Sequence, residues 1–429
     1  MIGIGIIGLG TVGTGTYRIL TEHAALIRKR TGLDIGIVRV AEVDPRKIKG
    51  KGLPRGIVTS DAMELIRDER VDIVVELIGG MRPASDFITA ALDLGKQVVT
   101  ANKALLAEKG DELFGLAARK GCEIGFEASV CGGIPVIRAI RDGLVGNEFS
   151  YILGILNGTS NYILSRMTDE GISFAEALKD AQQKGYAEKD PTFDVEGIDA
   201  AHKLALLIRL AFASPITTDR ITTRGIASID PVDIGFARDF GYKIKLLAIA
   251  KKLGTGIEAR VEPAMLPVNH PMSSVNGVYN AVYIVGDMVG PNLFYGKGAG
   301  SEPTGSAVVS DIVDMAKRIS ASGGMGSARG FAVSGRFKEG KASSVPYYLR
   351  VMAKDMPGVL SKISGVLSEY KISISAVTQQ GRKLSGYVPV VMVTHDASEE
   401  GLMRAKKEID ALSLTKGKSV HIRIEEGNL

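Results

Sequence analysis

IGIGIIGLGTVGTGTYRIL, residues 2–20, decides the fold. Ile2 to Ile7 is a short apolar run of strand length, and GLGTVG follows it at once. Gly8, Gly10 and Gly13 therefore stand at G-x-G-x-x-G spacing, with Thr11 and Val12 between them, ahead of a helical pattern carrying Tyr17, Ile19 and Leu20. A first glycine permits a tight turn, a second lets backbone amides approach a pyrophosphate, and a third lets helix and strand pack closely. The helix N-terminus then faces the anion. A glycine triplet by itself marks turns more often than ligands, so the flanking strand and helix carry the inference.

Working outward, short β-branched runs alternate with helical patterns through residue 130. They are Asp34 to Val43, Val71 to Leu77, Gln97 to Thr100 and Glu123 to Glu127. That alternation predicts an α/β, doubly wound (Rossmann) domain over 1–130. Asp44, after the second strand, has the chemistry to bond a ribose hydroxyl, and Arg46 beside it the chemistry to pair with a 2′-phosphate. NAD and NADP both remain open, as does a plain solvated turn. Residues 131–305 mix strands such as Phe149 to Leu156 with helical stretches Phe174 to Lys184 and Asp199 to Ala213, an α+β pattern expected to form a catalytic and dimerisation domain. The glycine-rich YGKGAGSEPTG, Tyr295 to Gly305, breaks that pattern. A helix over 306–320 is expected to return to the first domain. A Gly/Ser-rich linker is read over 320–346. From Tyr347 to 429 the order is β-α-β-β-α-β, a ferredoxin-like unit.

The chain has 429 residues, too many for one core, and its 53 basic and 48 acidic residues leave a net charge of +5 spread along the sequence. Nothing in that balance implies nucleic acid. No apolar run approaches the length of a membrane span. The two cysteines, Cys122 and Cys131, fit a reducing, cytoplasmic setting without disulfides. Cys131 reads as a small buried thiol rather than a nucleophile, since no partner histidine accompanies it.

The densest chemistry lies in AQQKGYAEKDPTFDVEGIDAAHK, residues 181–203. Asp199 and Lys203, four apart, share a helix face that continues into LALLIRLAF. Burial there is expected to lower the lysine's pKa towards proton transfer, with the aspartate orienting it and opposing the drop. The bland alternative is an exposed i,i+4 ion pair. Glu188, Asp190 and Asp194 crowd the same segment, which favours a cationic group such as an amino-acid ammonium.

This segment resembles the homoserine dehydrogenase signature. The resemblance extends through ELIGG (76–80), TANKALLA (100–107), EASVCGGIP (127–135) and ILNGTSNYIL (155–164). It implies reversible NAD(P)-dependent hydride transfer between L-homoserine and L-aspartate 4-semialdehyde, on the route to threonine, methionine and isoleucine. Carried over by motif, Lys203 acts as acid–base group and Asp199 holds substrate and lysine in register. Glu188 and Asp194 bind homoserine, and Lys103 lies between substrate and nicotinamide. Thr100, Gly185, Glu188 and Gly305 join the cofactor site. A structural sodium ion maps to Glu127 and the backbone of Val130, Gly132 and Ile134. KDMPGVLSKISGVL, 354–367, resembles the ligand turn of an ACT domain, placing an amino-acid effector, expected to be threonine, at Asp355 and Gly358. ACT units pair, which implies a homodimer or homotetramer. Two rivals remain: another Rossmann oxidoreductase, disfavoured because E-K-P is missing at the TANK position, and a non-catalytic amino-acid sensor, disfavoured by Lys103 and Lys203.

Overall fold

A computed structural model describes residues 1–54, 56–321, 337–340, 342–379 and 386–427. Most of the expected 320–346 linker lies outside the described residues. The opening run is strand β1 (Ile2–Ile7), followed by β2 (Ile35–Ala41), β3 (Val58–Thr59), β4 (Ile73–Glu76), β5 (Gln97–Thr100) and β6 (Ile124–Gly125). All pair in parallel, in the order β3-β2-β1-β4-β5-β6, so the chain reverses direction across the sheet beside β1. Ligand crevices of open parallel sheets form at that reversal, beyond the carboxyl ends of the strands. Asp44 lies far from the glycines in sequence because two helices, Thr11–Glu22 and Ala24–Thr31, separate β1 from β2.

The helix expected over 306–320 begins earlier, at Ser301, and runs to Ala321. Proline is tolerated in a first helical turn, so SEPTG opens the helix rather than breaking the pattern. Gly305 lets it lie against the first helix: a Cβ there would come 2.8 Å from backbone atoms of Gly15 and Thr16. Val308 and Ile312 share one core with Ile4, Ile6 and Val75.

The second sheet carries β7 (Phe149–Ile155), β8 (Thr222–Thr223), β9 (Tyr242–Leu253), β10 (Gly256–Pro267), β11 (Tyr279–Gly286) and β12 (Gly290–Lys297). Strand alternation gives it two apolar faces. Tyr151, Leu153 and Ile155 pack on one side, and Ile152 and Leu156 join the helices on the other. Beyond residue 346 come β13 (Tyr347–Lys354), β14 (Ile374–Gln379), β15 (Tyr387–Thr394) and β16 (Val420–Ile424), with helices Val359–Glu369 and Glu399–Ala411. That is the expected β-α-β-β-α-β order. This unit is not a detached bead. β16 pairs with β13 and, in parallel, with β10 through Ala264↔Arg423 and Met265↔Ile424, so both units share one ten-stranded sheet. The seam holds buried Arg260 between Glu258, Glu262 and Glu399, and buried Arg423 between Glu258 and Glu425. Among the described residues no helix is long and apolar enough to cross a membrane.

Candidate active site

The glycine loop is built as its spacing requires. Gly8 adopts φ +97°, and a Cβ on Gly13 would strike the Gly8 carbonyl oxygen at 2.0 Å. Gly10 faces open space, and no side chain caps the helix that follows. The first-turn amides are therefore available to an anion, and a dinucleotide pyrophosphate fits this cradle. The loop is braced by a residue that sequence reading missed. Glu42, buried just past β2, accepts hydrogen bonds from Leu9 N at 2.7 Å and Asp44 N at 3.0 Å. Its position directly after an apolar strand was the available signal. Asp44 itself turns back on its own loop, where Arg46 Nε and NH2 donate to its two oxygens at 2.9 Å each.

A cleft of about 720 Å³ opens from Thr11 and Val12 towards Lys103, Asp199 and Lys203. Lys203 is buried on helix Ile198–Phe212 and donates to Asp199 Oδ2 at 2.7 Å and to the Leu156 carbonyl at 2.6 Å. Lys103, which opens helix Lys103–Arg119, lies 3.1 Å from Asp199 Oδ1. Asn157 caps helix Gly158–Glu170 and uses one amide nitrogen for both Asp194 Oδ1 at 2.7 Å and Asp199 Oδ2 at 2.8 Å. A surface ion pair is thereby excluded, because Asp199 and Lys203 are only 5% and 8% exposed. Burial pushes the Asp199 carboxyl up, but the Lys203 and Lys103 ammonium groups outweigh it and hold the group well below the usual carboxylate range. Burial likewise pushes Lys203 down, and Asp199 overcomes this, so its pKa is raised. The expected lowering is thus reversed: a countercharge at hydrogen-bond distance exceeds the desolvation it opposes.

The residues picked from the sequence do not all converge. Thr11, Val12, Lys103, Gly132, Gly185, Asp194, Asp199 and Lys203 line the cleft. Glu188 is exposed and lies outside that lining. Thr100 is buried behind it, donating to Glu76 Oε2 at 2.7 Å. The same carboxylate accepts from Ile78 N and Gly79 N, which accounts for ELIGG. Gly305 packs on Gly15, and its neighbour Thr304 faces the cleft. Glu127 is buried with its carboxylate accepting from Ile137 N at 2.8 Å and Arg138 N at 2.9 Å, while the Ile134 carbonyl takes Val136 N at 2.8 Å. Among the described residues no three His, Cys, Asp or Glu side chains gather in a metal-binding group. Cys131 lines the cleft as a thiol, its pKa pushed up to about 11 by burial. Asn157, Tyr186 and Asn280 also line it and were not anticipated as site residues.

Family models agree with this arrangement. Residues 8–127 match the NAD-binding domain of homoserine dehydrogenase, residues 135–313 the homoserine dehydrogenase model and residues 347–413 the ACT domain. The chain belongs to the homoserine dehydrogenase family. The homoserine dehydrogenase of Pseudomonas aeruginosa is 42% identical over 100% of this chain and 99% of its own. That of Helicobacter pylori is 44% identical over 99% of both chains. The crystal structure of a homoserine dehydrogenase from Thiobacillus denitrificans superposes with a TM-score of 0.92 at 43% identity, covering 99% of this chain and 98% of that one. A hyperthermophilic archaeal homoserine dehydrogenase in complex with NADPH gives a TM-score of 0.62 at 26% identity, over 73% of this chain and 97% of its own. The protein is accordingly an oxidoreductase with a nucleotide-binding Rossmann domain and a C-terminal ACT domain.

Proposed function

We propose that this enzyme transfers hydride reversibly between L-homoserine and L-aspartate 4-semialdehyde, with Lys203 moving the proton. The carrying observation is the buried contact between Lys203 and Asp199 at the end of a cleft that begins at the glycine loop. A bound nicotinamide supplies the hydride acceptor or donor. In the reducing direction the Lys203 ammonium donates a proton to the aldehyde oxygen as negative charge develops there. In the oxidising direction neutral Lys203 takes the hydroxyl proton as the C–H hydride departs. Asp199 keeps Lys203 aimed, and Lys103 stabilises developing alkoxide charge. Asp194, held by Asn157, receives the substrate ammonium, and Glu188, exposed three residues beyond the cleft-lining Gly185, has a secondary role.

For the cofactor we favour NADP. Both Asp44 oxygens are engaged by Arg46, which weakens Asp44 as a ribose acceptor, and a 2′-phosphate would draw the exposed Arg46 guanidinium out of that pair with Lys47 beside it. Sodium, if bound near Glu127, would draw on main-chain oxygens of Glu127, Val130, Gly132 and Ile134, because the carboxylate serves as a helix cap. The ACT effector, threonine in this reading, would sit at the turn where Asp355 receives Gln379 Nε2 at 3.3 Å and Gly358 takes φ +86° ahead of an uncapped helix. Strand β14 ends the shared sheet, and its open edge supports side-by-side pairing of ACT units in a homodimer or homotetramer. The test is direct: purified protein should reduce NADP+ or NAD+ only when L-homoserine is present, with the lower KM for NADP+. No homoserine-dependent turnover with either cofactor would overturn the reading.

A further inference from the structure

Among the described residues, the cleft lining contains one buried side-chain polar atom without a hydrogen-bond partner, Asn280 Oδ1. Asn280 is 1% exposed on β11, and its Nδ2 donates to the Leu156 carbonyl at 2.9 Å. Lys203 donates to that same carbonyl. The amide is thus fixed beside the proton-transfer group, and its free oxygen is determined by the donor that faces Leu156. Two glycines pack closely against this amide. A Cβ on Gly298 would lie 2.2 to 2.4 Å from the Asn280 amide, and one on Gly158 would lie 3.6 Å from Oδ1. Both glycines line the cleft. The adjacent Cys131 thiol, kept protonated by burial, hydrogen-bonds to the Asn280 amide, yet Oδ1 itself has no partner within hydrogen-bond distance. A buried acceptor left unmade is costly, and a site that retains one is arranged for a donor that arrives with the ligand.

We propose that Asn280 is a substrate-recognition residue, its Oδ1 accepting a hydrogen bond from an O–H or N–H donor of the bound amino acid while its Nδ2 positions the Leu156 carbonyl for Lys203. This rests on the homoserine reading above. The donor is either the side-chain hydroxyl, present in homoserine and absent from the aldehyde, or the α-ammonium, present in both. Arrival of the substrate completes the amide's hydrogen bonding.

The experiment is steady-state kinetics of the full-length enzyme and of Asn280→Ala in both directions, with thermal unfolding and KM for the dinucleotide measured on each. A KM for L-homoserine raised about tenfold or more, with the dinucleotide KM unchanged, supports the proposal. A rise for homoserine alone identifies the hydroxyl, and a rise for both amino acids identifies the ammonium. Gly298→Ala, which pushes on the amide without removing it, should raise the same KM, and it replaces the alanine variant should that fail to fold. Amino-acid KM values within twofold of wild type, or a dinucleotide KM that rises equally, overturn the assignment. Wild-type protein inactive on homoserine would instead remove the function on which the proposal rests.

Discussion

Lys203 Nζ stands 2.7 Å from Asp199 Oδ2 within one helical turn, and both groups are charged although buried. A charged pair in such a place is retained when charge must be delivered there, and the cleft supplies the site of delivery.

Lys203→Ala should lower turnover by at least about 10²-fold, the lower end of general acid–base contributions, while dinucleotide binding persists. Rapid-mixing turnover alongside a cofactor titration checks this. Undiminished turnover would assign the proton to another group.

The two directions should respond oppositely to pH. Asp199 raises the Lys203 pKa, so the ammonium persists through neutral pH and is lost only in alkali. Reduction of the aldehyde, which needs the acid form, should be level near neutrality and fall in alkali. Oxidation of homoserine, which needs the base form, should climb with pH. Asp199→Asn withdraws the countercharge and should move the oxidative limb to lower pH. Profiles of kcat/KM in both directions decide it, and limbs of the same sign would refute the assignment.

Removing residues from Tyr347 onward is a poor test of effector action, because it strips β16 from β10 and takes Glu399, Arg423 and Glu425 out of the buried seam. Asp355→Ala is the better variant and should abolish threonine inhibition, read as the ratio of rates with and without threonine. The seam makes its own prediction. Arg260 touches three carboxylates while 4% exposed, so Arg260→Met should destabilise the protein by about 3 kcal/mol in urea unfolding, since it leaves Glu258, Glu262 and Glu399 with only Arg423 and Arg224 as countercharges. A midpoint unchanged from wild type would show the seam to be dispensable.

Lys245 is buried on β9, its pKa lowered to about 7 by burial, and it donates to Asn161 Oδ1, Asn276 Oδ1 and the Val275 carbonyl. Between about pH 7 and the ordinary lysine value the unfolded chain holds the proton that the folded chain has lost, so this group's contribution favours folding increasingly as pH rises through that window. Relative to Lys245→Met, the wild type should therefore gain stability between pH 7 and pH 10. Parallel urea midpoints at the two limits would contradict the buried titration.

Much was legible in the chain itself. Gly8, Gly10 and Gly13 can be read because backbone geometry at a strand-to-helix turn is local, and Asp199 and Lys203 can be paired because helical periodicity is local. The ferredoxin-like order after Tyr347 followed from the same alternation. Tertiary structure decided what depends on partners distant in sequence. Glu42, not Asp44, braces the glycine loop because the end of β2 lies beside β1. Lys203 is raised rather than lowered because Asp199, joined by Cys131 and Asp194 from other elements, outweighs its burial, and the balance of desolvation against countercharge is a matter of ångströms. Asn280 became visible only once Gly158 and Gly298 were seen to enclose it, since an unpartnered atom is a property of packing. Periodicity and turn chemistry act over a few residues, whereas charge, burial and hydrogen-bond satisfaction are summed over whatever the fold brings within reach.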